Sequence, residues 1–135
     1  MATQYSVTVR NAQLDALETA IGVSPKLRFY TGAVPANCAA ANSGTQLAEL
    51  QLPVDFMSAA SGGVKDLLGT WEDTSADATG VIAHYRIFDN AGTTCHIQGT
   101  VTITAGGGDM EVDNTNIAVG QNITVTAYSI TRGNA

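Results

Sequence analysis

Few residues in this chain have the types and spacing that chemistry needs. His84 and His96 are the only histidines, and each falls in the middle of an alternating apolar and polar run. If those runs form a hairpin, the two imidazoles approach each other. Zinc would still need further ligands, and the nearest carboxylate, Asp89, is out of register. The expected role is therefore that of satisfied surface or interface histidines, and no metal is expected. Asp109, Glu111 and Asp113 alternate, so three carboxylates share one side of a strand. Their spacing is about 7 Å, and the loop of an EF-hand is missing, so a solvated, edge-protecting acidic face is expected rather than a calcium site. Gly106, Gly107 and Gly108 are not followed by the Lys and Ser/Thr of a phosphate-binding loop and read as a turn. None of the serines lies in a G-x-S-x-G elbow. No catalytic, cofactor-binding or metal-ligating set emerges, and no enzyme is expected.

The two cysteines, Cys38 and Cys95, fit no metal motif. Both are expected to be reduced and buried or half-buried. A disulfide between them stays open, because sequence cannot show whether their Cβ atoms meet.

The elements that must position these residues are mostly strands. From Gly80 to Thr131 apolar and polar residues alternate through three short runs separated by turns, the pattern of a sheet with one buried face. In the first run Val81, Ala83, Tyr85 and Ile87 share a face and Ile82, His84, Arg86 and Phe88 the other. Asp89 to Gly92 turn the chain, and Cys95, Ile97, Gly99, Val101 and Ile103 line a face of the returning strand. The pattern resumes weakly at Met110 and Val112 and strongly at Ile123, Val125 and Ala127.

Upstream, Val7, Leu14, Leu17 and Ile21 are spaced as one face of an amphipathic helix, with Gly22 placed as its cap and Pro25 preventing continuation. Lys26 to Tyr30 reads as a strand, Ala33 to Gln46 as a long loop, and Leu47 to Leu52 as a further strand stopped by Pro53. Phe56 and Met57 anchor the next loop, a short apolar stretch follows at Val64, Leu67 and Leu68, and Glu72 to Asp77 reads as an exposed acidic loop. One helix and six to eight short strands predict a mainly β, single-domain antiparallel β-sandwich over 1–135. Residues 1–22 form the arm and helix and 26–135 the sandwich, jelly-roll-like in the first instance and immunoglobulin-like in the second.

Composition narrows the function. Charged residues make up only 13% of the chain and hydrophobic ones 44%, so the surface is covered by small neutral polar residues, as suits an extracellular or virion-type coat or a subunit packed among neighbours. A net charge of −6 without any basic cluster argues against direct nucleic-acid binding. No run approaches the ~18 apolar residues of a membrane span, and no membrane partner is expected. Met1 to Tyr5 lack the character of a signal peptide, which predicts synthesis and folding in a cytoplasm.

The string Leu27-Arg28-Phe29-Tyr30-Thr31-Gly32-Ala33 with Pro35, then Gly44-Thr45-Gln46-Leu47-Ala48, then Tyr85-Arg86-Ile87-Phe88-Asp89 with Gly92, resembles small proteins encoded among the virion genes of tailed bacteriophages. The ending Ile117-Ala118-Val119-Gly120-Gln121-Asn122-Ile123-Thr124-Val125, with Thr131 and Gly133-Asn134-Ala135, is similar too. The resemblance covers nearly the whole chain and carries no catalytic signature. It implies a virion structural protein, a capsid decoration or cement protein bound to the major capsid protein or neighbouring virion subunits at the capsid surface. A tail or neck component and, in another class, a carbohydrate-binding sandwich are the alternatives. The low charge and the long loop predict a homodimer or homotrimer. Residues 1–10 and the loop from Ala33 to Gln46 are expected to carry the contacts, with Tyr5, Val7, Val34 and Pro35 as apolar anchors and Arg10 and Arg28 as hydrogen-bond donors to a neighbour.

Overall fold

The computed structural model describes residues 3–133. The first two residues of the expected arm and the closing Asn134 and Ala135 lie outside the described residues. Helix α1 occupies Val7–Ile21. Ser6 caps its start, its hydroxyl accepting from the Val9 N–H at 3.3 Å. Gly22 ends it with φ +87°, a conformation that costs glycine little, and its N–H donates to Glu18 O. Leu14 and Ile21 are buried and Leu17 packs against the core, while Val7 stays exposed in the first turn.

Ten strands follow: β1 Lys26–Tyr30, β2 Gln46–Gln51, β3 Val64–Asp66, β4 Glu72–Asp73, β5 Gly80–Val81, β6 His84–Phe88, β7 Cys95–Ile103, β8 Met110–Val112, β9 Asn116–Ile117 and β10 Ile123–Thr131. Eight join in one sheet, along the path β2-β1-β6-β7-β8-β10-β3 with β4 also on β10, and β5 pairs with β9. The path folds over itself, so that Tyr85 on β6 and Tyr128 on β10 meet edge to face with their hydroxyls 2.8 Å apart. Between the layers lie Leu27, Phe29, Leu47, Leu50, Ile87, Met110, Val112 and Ile123. Each such side chain contributes about 1.5–3 kcal/mol by leaving water. The result is a mainly β, single-domain β-sandwich with one helix near the N-terminus.

Three local features depart from the sequence expectation. Glu72 to Asp77 is exposed as expected at Glu72, Thr74, Ser75 and Asp77, but it is not loop throughout: Glu72 and Asp73 pair with Thr124 and Ile123, and Ala76 is buried. Trp71 drives this, since its ring is 1% exposed between Phe56 and Tyr128 and its indole N–H donates to Leu68 O at 3.1 Å. Second, the pairing of β6 with β7 slips between Ile87 and Phe88, which oppose Ile97 and Cys95. His96 is the extra residue of a bulge, and Cys95 moves from the Ile97 face to the face of Phe88.

Third, β7 and β8 run parallel, Val101 beside Met110 and Ile103 beside Val112, whereas every other pair is antiparallel. Parallel neighbours ordinarily need a crossover of a dozen or more residues. Here residues 104–109 suffice, because Ala105 and Gly107 take positive φ and the backbone at Gly106 and Gly108 lies so close to Thr102 that a Cβ would clash.

Candidate interaction site

β6 carries the residue that organises the site. All five of its residues are buried, His84 to Phe88, so it has no solvent face. Tyr30 covers His84, the rings stacked at 5.2 Å and 11°, and His84 Nδ1 donates to Gly32 O at 2.8 Å. His84 is fully buried, which corrects the surface or interface role expected of it. Only His96 is exposed. The two are not paired: His84 opposes Thr100, and His96 sits four residues earlier on β7.

Arg86, 1% exposed, projects under the loop between β1 and β2. Its Nη2 donates to the carbonyls of Cys38 at 2.8 Å, Ala40 at 3.1 Å and Asn37 at 3.3 Å, and its Nη1 donates to Asn42 Oδ1. The guanidinium also lies 5.6 Å from the centre of the Phe88 ring. Among the described residues no carboxylate pairs with it. A planar fork suits this task, since one group can serve several carbonyls of an irregular turn.

Further bonds complete the loop. Gln98 Nε2 donates to Pro35 O at 2.7 Å, Ser43 Oγ to Ala33 O at 2.9 Å, and Thr31 and Thr45 bond each other through Thr31 N to Thr45 O and Thr45 N to Thr31 Oγ1. Residues 31–45 are therefore tied to β6, to β7 and to one another at several points. Val34 and Pro35 are half-buried on it.

The other expected contact residues stand elsewhere. Tyr5 and Val7 are exposed at 40% and 43%, with Val9 at 42% beside them. Arg10 is half-buried, its Nη1 donating to Arg132 O at 3.2 Å beyond β10. Arg28 is engaged within the chain: its Nε donates to Glu49 Oε2 at 2.6 Å, its Nη1 to Gly92 O at 3.3 Å, and it lies 4.5 Å over the Phe88 ring. The arm and the loop are thus held by different elements.

A second buried cation, Lys65 on β3, was not singled out by sequence. It is 1% exposed and bonds Asp15 Oδ1 at 2.8 Å and Glu18 Oε2 at 2.7 Å on α1. Burial opposes its charge, but the two carboxylates outweigh that and hold the ammonium above its ordinary range. The same bond, helped by the Ala60 N–H, lowers Asp15.

The acidic strand is used internally. Asp109 Oδ2 accepts from Thr100 N at 2.9 Å and its hydroxyl at 3.0 Å, Glu111 from the N–H groups of Ala105 and Gly107 at 3.1 Å, and Asp113 from Thr124 N at 3.0 Å. Each carboxylate fastens an adjoining turn or strand, a role beyond the edge protection expected. A concavity of about 620 Å³ between α1 and residues 54–59 has the paired Lys65 in its wall, with the exposed Val23 and Val54 also lining it.

Comparison with protein-family models, with curated proteins and with solved structures finds no match to this chain.

Proposed function

We propose that this chain is a non-enzymatic virion structural protein of a tailed bacteriophage, a capsid decoration or cement subunit that docks on the head shell through the loop at residues 31–45 and its N-terminal arm. The observation that carries the reading is the Arg86 clamp. A fully buried arginine without a carboxylate partner is costly, and here its bonds fix the shape of a surface loop of small residues. A loop fixed before binding loses little entropy on docking. The exposed apolar side chains of Tyr5, Val7 and Val9 at the arm, with a surface poor in charge, support contact with neighbouring subunits. Self-association as a dimer or trimer about a shell symmetry axis would multiply weak contacts.

A carbohydrate-binding module is less well supported. Most of the aromatic rings that would stack on sugars are in the core, with Trp71 1%, Tyr30 2%, Tyr85 2% and Tyr128 5% exposed, and among the described residues Tyr5 alone, at 40%, is open to solvent. A tail or neck position would use the same surfaces and is decided by the experiment below.

The test is side-chain-resolution reconstruction of purified particles of the phage that encodes this chain, with occupancy compared between the wild type and two variants. Val7→Ser with Val9→Ser, and Val34→Ser with Pro35→Gly, are expected to fold and to reduce occupancy at least several-fold. Density on the tail or neck would move the protein there. Its absence from particles, or unchanged occupancy in both variants, would refute the docking surface. Light scattering at micromolar concentration is expected to give a dimer or trimer.

A further inference from the structure

Cys38 and Cys95, the only two cysteines, stand on different elements and yet line one small cavity of about 190 Å³. Two independent features place them there. Arg86 draws the loop in by its bond to the Cys38 carbonyl, and the bulge at His96 turns Cys95 to the same face as Phe88. Arg86 and Phe88 form the remaining wall, with Ala39–Asn42 and Thr93. Both thiols are half-buried and unbridged.

We propose that Cys38 and Cys95 are a built redox site, which closes to an intramolecular disulfide by exchange with a small-molecule disulfide and so locks the loop at residues 31–45 to the start of β7. This inference rests on the cavity and the bulge, not on the virion reading. The Cys38 thiolate attacks the external disulfide R–S–S–R, whose S–S bond breaks as the Cys38–S–S–R bond forms, and R–S⁻ leaves to take up a proton. Cys95 then loses its proton and attacks the Cys38 sulfur, expelling the second R–S⁻. Two protein thiols are oxidised and one small disulfide is reduced to two thiols.

Cys95 suits the second, intramolecular step. Its thiol donates to Ile97 O at 3.4 Å. Burial first, and then the neighbouring Cys38 thiol, push it up to about 11, with Arg86 opposing. Little of it is thiolate at neutral pH, so closure is expected to accelerate as pH rises toward that value.

The experiment treats the full folded chain with oxidised glutathione and follows intact mass, thiol content after unfolding, and amide hydrogen exchange. The expected product has lost the mass of two hydrogen atoms, holds no free thiol and yields one peptide pair joined through Cys38 and Cys95. Its thermal midpoint is expected to rise by about 10 °C, reversibly on reduction. Cys38→Ser and Cys95→Ser should each stop at a single glutathione adduct. A wild-type product carrying glutathione that does not resolve, covalent dimers, or two thiols left unreacted would overturn the proposal. So would a bridged product whose amides at residues 37–42 exchange no more slowly than before.

Discussion

Two buried cations hold two surface elements onto the same sandwich, and they do it with opposite chemistry. Lys65 secures helix α1 through carboxylates that remain in contact with water, Asp15 being 51% and Glu18 21% exposed. Arg86 secures the loop at residues 31–45 through neutral carbonyls and one amide oxygen, and among the described residues no carboxylate pairs with its charge. A helix satisfies its own backbone and needs only an anchoring point, for which a compact ammonium is enough. An irregular loop has unmet carbonyls, and only a branched donor meets several of them at once. The helix latch therefore depends on two carboxylates, and the loop latch on uncharged acceptors.

The largest expected effect separates these two roles. Arg86→Met keeps most of the volume but leaves the carbonyls of Cys38 and Ala40 without their donor. The loss of the donor to the Cys38 and Ala40 carbonyls, Asn37 O keeping the Ala40 N–H at 3.1 Å, is expected to cost about 3–4 kcal/mol in chemical denaturation, with rapid hydrogen exchange confined to the loop. Arg86→Lys should recover less than half of that, because an ammonium cannot reproduce the fork. A lysine variant as stable as the wild type would mean that charge alone, not geometry, holds the loop.

Lys65→Met should cost less, about 1–2 kcal/mol, since its two carboxylate partners can return to water when the ammonium is gone. Faster exchange should appear in α1 and leave residues 37–42 unchanged. If both variants loosen both elements, the latches are coupled through the core and the comparison fails.

What could be read in the sequence follows from the same contrast. Strand β1 has the bounds expected, Lys26–Tyr30, and α1 begins and ends where Ser6 and Gly22 allow, because local periodicity and capping decide those elements. The β6–β7 hairpin about Asp89 to Gly92 was legible for the same reason. The alternation of β6 was legible too, but not its meaning: one face was expected to be open, and the loop and Tyr30 cover it. Nothing local announces that coverage, which depends on a partner about fifty residues away in sequence. The signal that was present is Arg86 itself, a charged residue among Ile82, Tyr85, Ile87 and Phe88. Lys65 gave the same signal between Val64 and Leu67. The bulge at His96 and the short parallel crossing at residues 104–109 were hidden for another reason, since a single slipped residue reverses every side chain beyond it.

The smallest effect expected is the response to acid. Asp15 is held below its ordinary value by the Lys65 bond and the Ala60 N–H, so it contributes stability that is complete above the unfolded carboxylate value and is lost as pH falls through the lower, folded one. At the alkaline end the raised Lys65 contributes stability that is complete below its unfolded value and disappears as pH rises through the folded one. Amide exchange in α1 is therefore expected to quicken below about pH 4, while residues 37–42 keep their protection until the whole chain unfolds. Asp89, lowered chiefly by the Thr93 N–H, holds the β6–β7 turn and not the Arg86 clamp. In Lys65→Met the acid response of α1 should shrink, because the Lys65 bond, the largest cause that lowers Asp15, and the charge behind it are gone. An acid response that persists in full there would place the helix latch on Ala60 and residues beyond it rather than on Lys65.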